Sequence, residues 1–309
     1  MPEKLELNHP WMVAVWPGMG NVALNAGFYL LSKLSMDVIA EFEAADLFDV
    51  DHVEVKEGII QKGRRPRNRF FVRTDPNKKH DLVVFLGEAQ PPIGKYPFCR
   101  KLISYARELS VERVFTFAAM ATQMHPGQRA RIFGAATDKE SLEELKRLEL
   151  EVLEDGHIGG LNGVLLGAAA ESGLRGACLL GEMPHIFSQL PFPRASLAIL
   201  EVFTTITGIE LDFAELAEQV RVTEEQLTEL LSRVEESLGR QPAAEEGAFA
   251  TEAGEEERLS AADKGRIEEL FKQAAQNRSK AFELKQELDR LAIFKDYEDR
   301  FLDLFKKPG

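Results

Sequence analysis

Asp81-Leu82-Val83-Val84-Phe85-Leu86 places five apolar residues in a row behind one acid and ends at Gly87. A strand with one wet face alternates apolar and polar residues. A continuous run needs cover on both faces, as a parallel sheet between helices provides. Trp11-Met12-Val13-Ala14-Val15 reads the same way upstream, and residues 113–118, 131–136 and 176–180 read so downstream. Residues 36–42 add a strand and 149–153 an edge strand. Between these runs, apolar periodicity predicts helices over 22–34, 98–109, 139–148, 161–172 and 195–207. Strands alternating with helices at these lengths give an α/β domain of three layers, with a mostly parallel mixed sheet in the middle. Residues 53–60 and 69–74 flank Arg64, Arg65, Arg67 and Arg69 and predict an antiparallel hairpin with a solvated basic tip.

Beyond Gly208 the character changes. Residues 212–238 are helical in pattern, and Thr223-Glu224-Glu225-Gln226 has the spacing of a capping box that would open a second helix there. Residues 241–260 hold Pro242, Gly247, Gly254 and six glutamates with almost nothing to bury, which predicts a flexible acidic linker. From 261 to 305, Ile267, Leu270, Ala274, Ala281, Leu284, Leu288 and Leu291 recur at three- and four-residue steps, and Phe294, Tyr297, Phe301 and Leu304 continue them. Such a stripe needs cover from another helix, from its own globular domain or from a second subunit, and docking against protein, a neighbouring subunit foremost, is the expectation. The chain thus divides into an α/β domain (1–240), a linker (241–260) and a helical C-terminal extension (261–309).

The formal net charge of the 309 residues is −13, a surface that repels phosphate backbones and anionic lipids, so neither nucleic acid nor membrane is an expected partner. No run approaches the ~18 apolar residues of a membrane span. Met1-Pro2-Glu3-Lys4 opens no secretory signal. The two cysteines, Cys99 and Cys178, fall in predicted core segments as free thiols, which suits a reducing cytoplasm.

Candidate chemistry sits at glycine-bearing junctions after strands. In Trp16-Pro17-Gly18-Met19-Gly20-Asn21, Gly18 and Gly20 allow close backbone approach, and the helix that follows offers free N–H groups. Ala23 stands where a dinucleotide fingerprint has its third glycine, and no Walker lysine follows. Gly87-Glu88-Ala89-Gln90-Pro91 and Leu180-Gly181-Glu182-Met183-Pro184 put a carboxylate just past a strand, where α/β folds bind ligands. Both carboxylates are expected at the surface, and were they to converge one could serve as a general base. Gly156-His157-Ile158-Gly159-Gly160-Leu161-Asn162-Gly163 opens a small-residue helix, with Asn162 placed to cap it or meet a ligand. The candidate cleft is therefore Gly18, Gly20, Asn21, Glu88, Gln90, Asn162 and Glu182. No nucleophile elbow, Cys/His pair or clustered metal spacing accompanies it, so no catalytic set, cofactor or metal is expected.

These junctions, with Gly163-Val164-Leu165-Leu166-Gly167 and Pro191-Phe192-Pro193-Arg194-Ala195-Ser196, resemble in order and spacing the motif series of the proteasome assembly chaperone 2 family across residues 10–240. The resemblance implies a fold related to nucleoside phosphorylases. It also implies a homo-oligomeric, protein-binding or chaperone-like module linked to assembly of the proteasome or another complex. The same kinship leaves the alternative of an enzyme or binding protein for a nucleoside-like ligand at the strand carboxyl ends. Archaeal relatives dock through a hydrophobic-Tyr-any-residue tail; here the last residues are Phe305-Lys306-Lys307-Pro308-Gly309, and docking by the tail is not expected.

Overall fold

Strands whose two faces are both apolar must lie side by side beneath helices, and they do. The computed structural model describes residues 6–239 and 260–306, apart from 51, 52, 54, 57, 62, 78 and 149. The chain begins β1 (Trp11–Val15), α1 (Val22–Lys33), β2 (Asp37–Glu41), β3 (Val55–Lys56), β4 (Ile59–Ile60), β5 (Asn68–Arg73) and β6 (Leu82–Gly87). It continues α2 (Lys95–Glu108), β7 (Arg113–Thr122), β8 (Ile132–Ala136), α3 (Lys139–Arg147), β9 (Glu151–Val152), α4 (Gly160–Glu171) and β10 (Arg175–Pro184). Helices complete it: α5 (Pro193–Thr207), α6 (Ala214–Gly239), α7 (Ala261–Gln276), α8 (Ala281–Arg290) and α9 (Phe294–Asp303).

Eight strands form one mixed sheet in the order β2-β5-β6-β1-β7-β10-β8-β9. Its centre, β6-β1-β7-β10, is parallel. β5 and β8 flank this centre antiparallel, and β2 and β9 close the edges. The pleat of β1 sends Trp11, Val13 and Val15 to one face, with Phe28 of α1 and Phe203 of α5. Met12, Ala14 and Trp16 go to the other, with Phe98 of α2 and Leu165 of α4. Each helix end has a local cause. Pro193 sits in the first turn of α5 and Gly208 ends it at φ +70°. Asp138 Oδ1 caps α3 by accepting from the Ser141 amide at 2.9 Å.

Three expectations change. The basic turn does not join a hairpin of 53–60 with 69–74: β3 pairs with β4 in a separate ribbon, while β5 pairs with β2 and β6. β5 buries Phe70 and Phe71 on opposite faces and so needs a ladder on both edges, whereas Gly58 at φ +77° folds the 55–60 segment back on itself. Nor is the arginine cluster a solvated tip, since Arg69 is buried within the sheet. Finally, Thr223 opens no second helix. With no Gly or Pro from 212 to 238, and with Leu216, Val220 and Leu227 keeping one buried phase, α6 runs straight through.

The C-terminal stripe divides into three helices, with breaks at Asn277 (φ −140°) and at Ala292 (φ +55°). It is covered by this chain's own domain. Phe28 meets the rings of Phe294 and Phe301 edge-on at 5.2 and 5.6 Å, and Tyr29 meets Phe282 at 4.6 Å. Arg278 donates to Asp37 Oδ1 at 2.6 Å and to the carbonyls of Ser35 and Met36, while the Val38 amide donates to the Phe305 carbonyl at 2.8 Å. Most of the acidic linker, residues 241–259, lies outside the described residues.

Because Phe301 is fully buried among aromatic rings, Phe301→Ala is expected to lower unfolding free energy by about 3–5 kcal/mol in urea titrations. A loss below about 1 kcal/mol would show that the extension is not part of the cooperative core.

Candidate functional site

The parallel centre of the sheet turns the carboxyl ends of β1, β6, β7 and β10 the same way. β7 and β10 continue past the other two, paired from Arg113 with Arg175 through to Thr122 with Pro184. Residues 181–184 are therefore strand, not loop: the β7 ladder gives them partners, and Gly181 lies against Ala195 of α5. The overhang makes one wall of a cleft of about 450 Å³, with Ala118, Met120 and Leu180 facing Gly18, Gln90, His157 and Asn162.

Gln90 organises this cleft. Its Nε2 donates to the Pro17 carbonyl at 3.0 Å, and its Oε1 accepts from the Leu161 amide at 3.1 Å. One side chain thus caps α4 and ties it to the β1–α1 turn. Gly160 is required beside it: its φ is +68°, and a Cβ would stand 2.8 Å from Gln90 Oε1. Asn162 Oδ1 is buried with no hydrogen-bond partner among the described residues. The cleft is thus lined by two side-chain amides, one histidine and apolar groups.

Of the seven candidate residues, Gly18, Gln90 and Asn162 share this cleft. Gly20 and Asn21 line a separate cavity of about 230 Å³, with Leu24, Phe28, Phe192, Lys285 and Phe294. There Lys285, whose burial lowers its pKa, pairs with Asp289 and lies 4.1 Å from the Phe294 ring centre.

Glu88 and Glu182 are not surface carboxylates, and neither lines the cleft. Glu88 accepts from the Arg67 amide at 2.9 Å, from Arg69 Nη1 at 3.2 Å and from Arg64. Asp299 of α9 accepts from the guanidinium groups of all three arginines, at 2.7 Å from Arg67 and 2.5 Å from Arg69. Glu182 accepts from Arg131 Nη2 at 2.6 Å and Nε at 2.9 Å and from the Thr122 hydroxyl at 2.7 Å. Arg131, aided by burial-opposing bonds from Thr122, holds Glu182 below the usual glutamate range. Both carboxylates are committed to arginines, which leaves neither free as a base. No motif marks Arg131 or Asp299. The available signal was charge at odds with its surroundings: Arg69 precedes Phe70-Phe71-Val72 in a buried strand.

Both cysteine thiols are pushed up to about 12 by burial, which makes them inert at neutral pH. Among the described residues no group of three His, Cys, Asp or Glu could hold a metal ion.

Glu88 and Arg69 each keep only 3% of their side chains exposed, so Glu88→Gln is expected to cost about 3–5 kcal/mol of stability at neutral pH. Arg131 is half-exposed, and Glu182→Gln should cost less, about 1–3 kcal/mol. Because the folded-state pKa of Glu182 is depressed, its contribution is full above the unfolded glutamate pKa and is lost as pH falls through the lower folded value. Urea titrations at pH 7 and pH 3 check both statements: the Glu182→Gln deficit should shrink at the lower pH.

Residues 12–231 match the PAC2 family, which is most of the chain. An uncharacterized protein of Methanocaldococcus jannaschii, MJ1210, is 26% identical over 235 residues, covering 75% of this chain and 86% of its own. Among solved structures, Pyrococcus furiosus PbaB, an archaeal proteasome activator, is similar with 26% identity and a TM-score of 0.64, over 74% of this chain and 96% of that one. PbaA of the same organism, an archaeal homolog of proteasome-assembly chaperone, has 25% identity and a TM-score of 0.58, over 75% and 92% of the two chains. With the strand order, the glycine-bearing junctions and these likenesses in agreement, the chain belongs to the PAC2 family.

Proposed function

We propose that this protein is a homo-oligomeric, chaperone-like module that binds other proteins during assembly or activation of the proteasome or a comparable complex. The observation that carries this reading is similarity to PbaA and PbaB over nine-tenths or more of their own chains. Two features of the molecule support it. Glu88 and Glu182 are committed to arginines, which leaves neither of these carboxylates free as a general base. The β3–β4 ribbon stands outside the main sheet with Val55, Ile59 and Ile60 exposed by 64%, 66% and 69%. A two-stranded ribbon is marginal alone in water, and an apolar one is stabilised by packing on another molecule. The reading places the protein in the cytoplasm, in keeping with its two free, buried thiols. No described helix is long and apolar enough to cross a membrane.

A second reading has its own observation. The unpartnered Asn162 Oδ1 beside a cleft of about 450 Å³ fits a small hydrogen-bonding ligand such as a nucleoside.

Light scattering of the purified chain is expected to give a mass above one protomer, reduced by Ile59→Lys with Ile60→Lys at an unchanged melting temperature. Co-elution with proteasome α subunits of the same host tests the partner; a monomer that forms no complex with them would remove the reading. For the cleft, a nucleoside that raises the melting temperature of the native chain but not of Asn162→Ala would favour the second reading.

A further inference from the structure

A groove of about 940 Å³ runs between α6 and α8, away from the strand-end cleft, with Leu190 and Pro191 at its edge and Arg266 of α7 beside it. From α6 it takes Glu215, Gln219, Val222, Gln226 and Leu230, a single face at three- and four-residue steps. Leu227 is buried in it, while Leu190, Val222 and Leu230 remain 39%, 39% and 41% exposed. The α6 face from Ala214 to Leu230 is roughly 24 Å long at ~1.5 Å per residue, the length of a helix of about four turns.

Charge selects the occupant. The lining holds five acids, Glu215, Glu218, Glu283, Glu287 and Asp289, against three bases, Arg266, Lys280 and Arg290. Each base is already paired inside the lining, Arg266 with Glu287 at 3.2 Å, Lys280 with Glu283 at 2.9 Å and Arg290 with Glu287 at 2.9 Å. Two acceptors are left over. Glu215 takes Lys33 on Oε1 at 2.8 Å, while its buried Oε2 and the buried Gln219 Oε1 one turn along have no hydrogen-bond partner among the described residues. Acids outnumber bases in the lining by five to three, so an occupant is favoured by donors and positive charge. Residues 240–259, which connect α6 to α7, cannot supply them: they hold six glutamates against two arginines. Another copy of a chain with net charge −13 is a poor source for the same reason.

We propose that the α6–α8 groove is a docking site for an amphipathic helix of a protein partner, about four turns long, apolar at i, i+4 and i+7 and bordered by Lys or Arg. The proposal names a surface for the protein binding proposed above and rests on that reading. The apolar stripe covers Leu190, Val222 and Leu230, and the basic border meets Glu215, Gln219 and Glu218.

The test is fluorescence anisotropy of the full chain with three synthetic helical peptides of about four turns. One has Leu at i, i+4, i+7 and i+11 with Lys elsewhere, one replaces Lys by Glu, and one keeps the Lys composition with the Leu order scrambled. The first is expected to bind at least tenfold more tightly than the other two, and Val222→Asn with Leu230→Asn should weaken it at least tenfold. Leu190→Asn, on a different segment, should weaken it in the same direction. Equal binding of the scrambled peptide, indifference to these substitutions, or no binding of the first peptide overturns the proposal. So does a dimer that the double substitution dissolves, which would give the groove to a second copy. A rise of tenfold or more in affinity on deleting residues 241–258 also overturns it, since the groove would then belong to the chain's own segment. Because the peptides require no natural partner, failure to find a proteasome complex leaves this result standing, and the reverse holds as well.

Discussion

Arg69 is the second residue of a buried strand, and its guanidinium cannot be left there alone. An unpaired charge in a low-dielectric interior costs several kcal/mol, about 3–5 when one member of a buried pair is removed, so the structure around it is obliged to bring carboxylates. It brings them from three places: Glu41 ends β2, Glu88 follows β6, and Asp299 sits on α9. Arg64 and Arg67 join the same carboxylates from the preceding segment. Residues more than two hundred positions apart are thereby fixed against one another. The sheet edge and the C-terminal extension become one electrostatic unit, laid over the aromatic contacts that Phe28 makes with Phe294 and Phe301.

That unit also decides what chemistry is left over. A carboxylate bonded to guanidinium groups is oriented toward them rather than toward a substrate. At the other end of the sheet, Arg131 does the same to Glu182. The cleft at the strand ends is lined by Gln90, Asn162 and His157 among glycines, alanines and larger apolar side chains. Gln90 is the link, since its one amide serves both the Pro17 carbonyl and the amino end of α4.

Legibility followed how local the deciding physics was. Continuous apolar runs and the Pro193 and Gly208 boundaries of α5 are set by nearest neighbours and by φ preferences, so the three layers and the placement of β1, β6, β7 and β10 could be read directly. Edge pairing is not local. Residues 55–60 carry the same β-forming side chains whether they pair with β5 or fold back, and only the competition of β2 and β6 for β5 excludes them. Capping chemistry was equally ambiguous at Thr223, where the spacing of a helix start occurs inside a helix whose buried phase never shifts. Glu88 was legible as a carboxylate just past a strand, whereas Glu182 lies inside β10, and their arginine partners are brought by tertiary contact, which turns each possible base into a structural anchor. Glycine motifs announced the turns, whereas the sharing of one cleft by Gly18, Gln90 and Asn162 depended on β7 and β10 overhanging their neighbours.

The extension beyond residue 260 lies outside the stretch shared with the family, yet it does more than shield α1. By laying α8 alongside α6 it creates a groove with one wall from the family domain and one from the extension. Its acids come from both walls, Glu215 and Glu218 from α6 and Glu283, Glu287 and Asp289 from α8. A PAC2 domain without these helices would expose Phe28, Tyr29 and Phe71 and would have no such groove. The addition therefore exchanges an apolar face, which accepts partners by shape alone, for an acidic channel that selects them by charge as well.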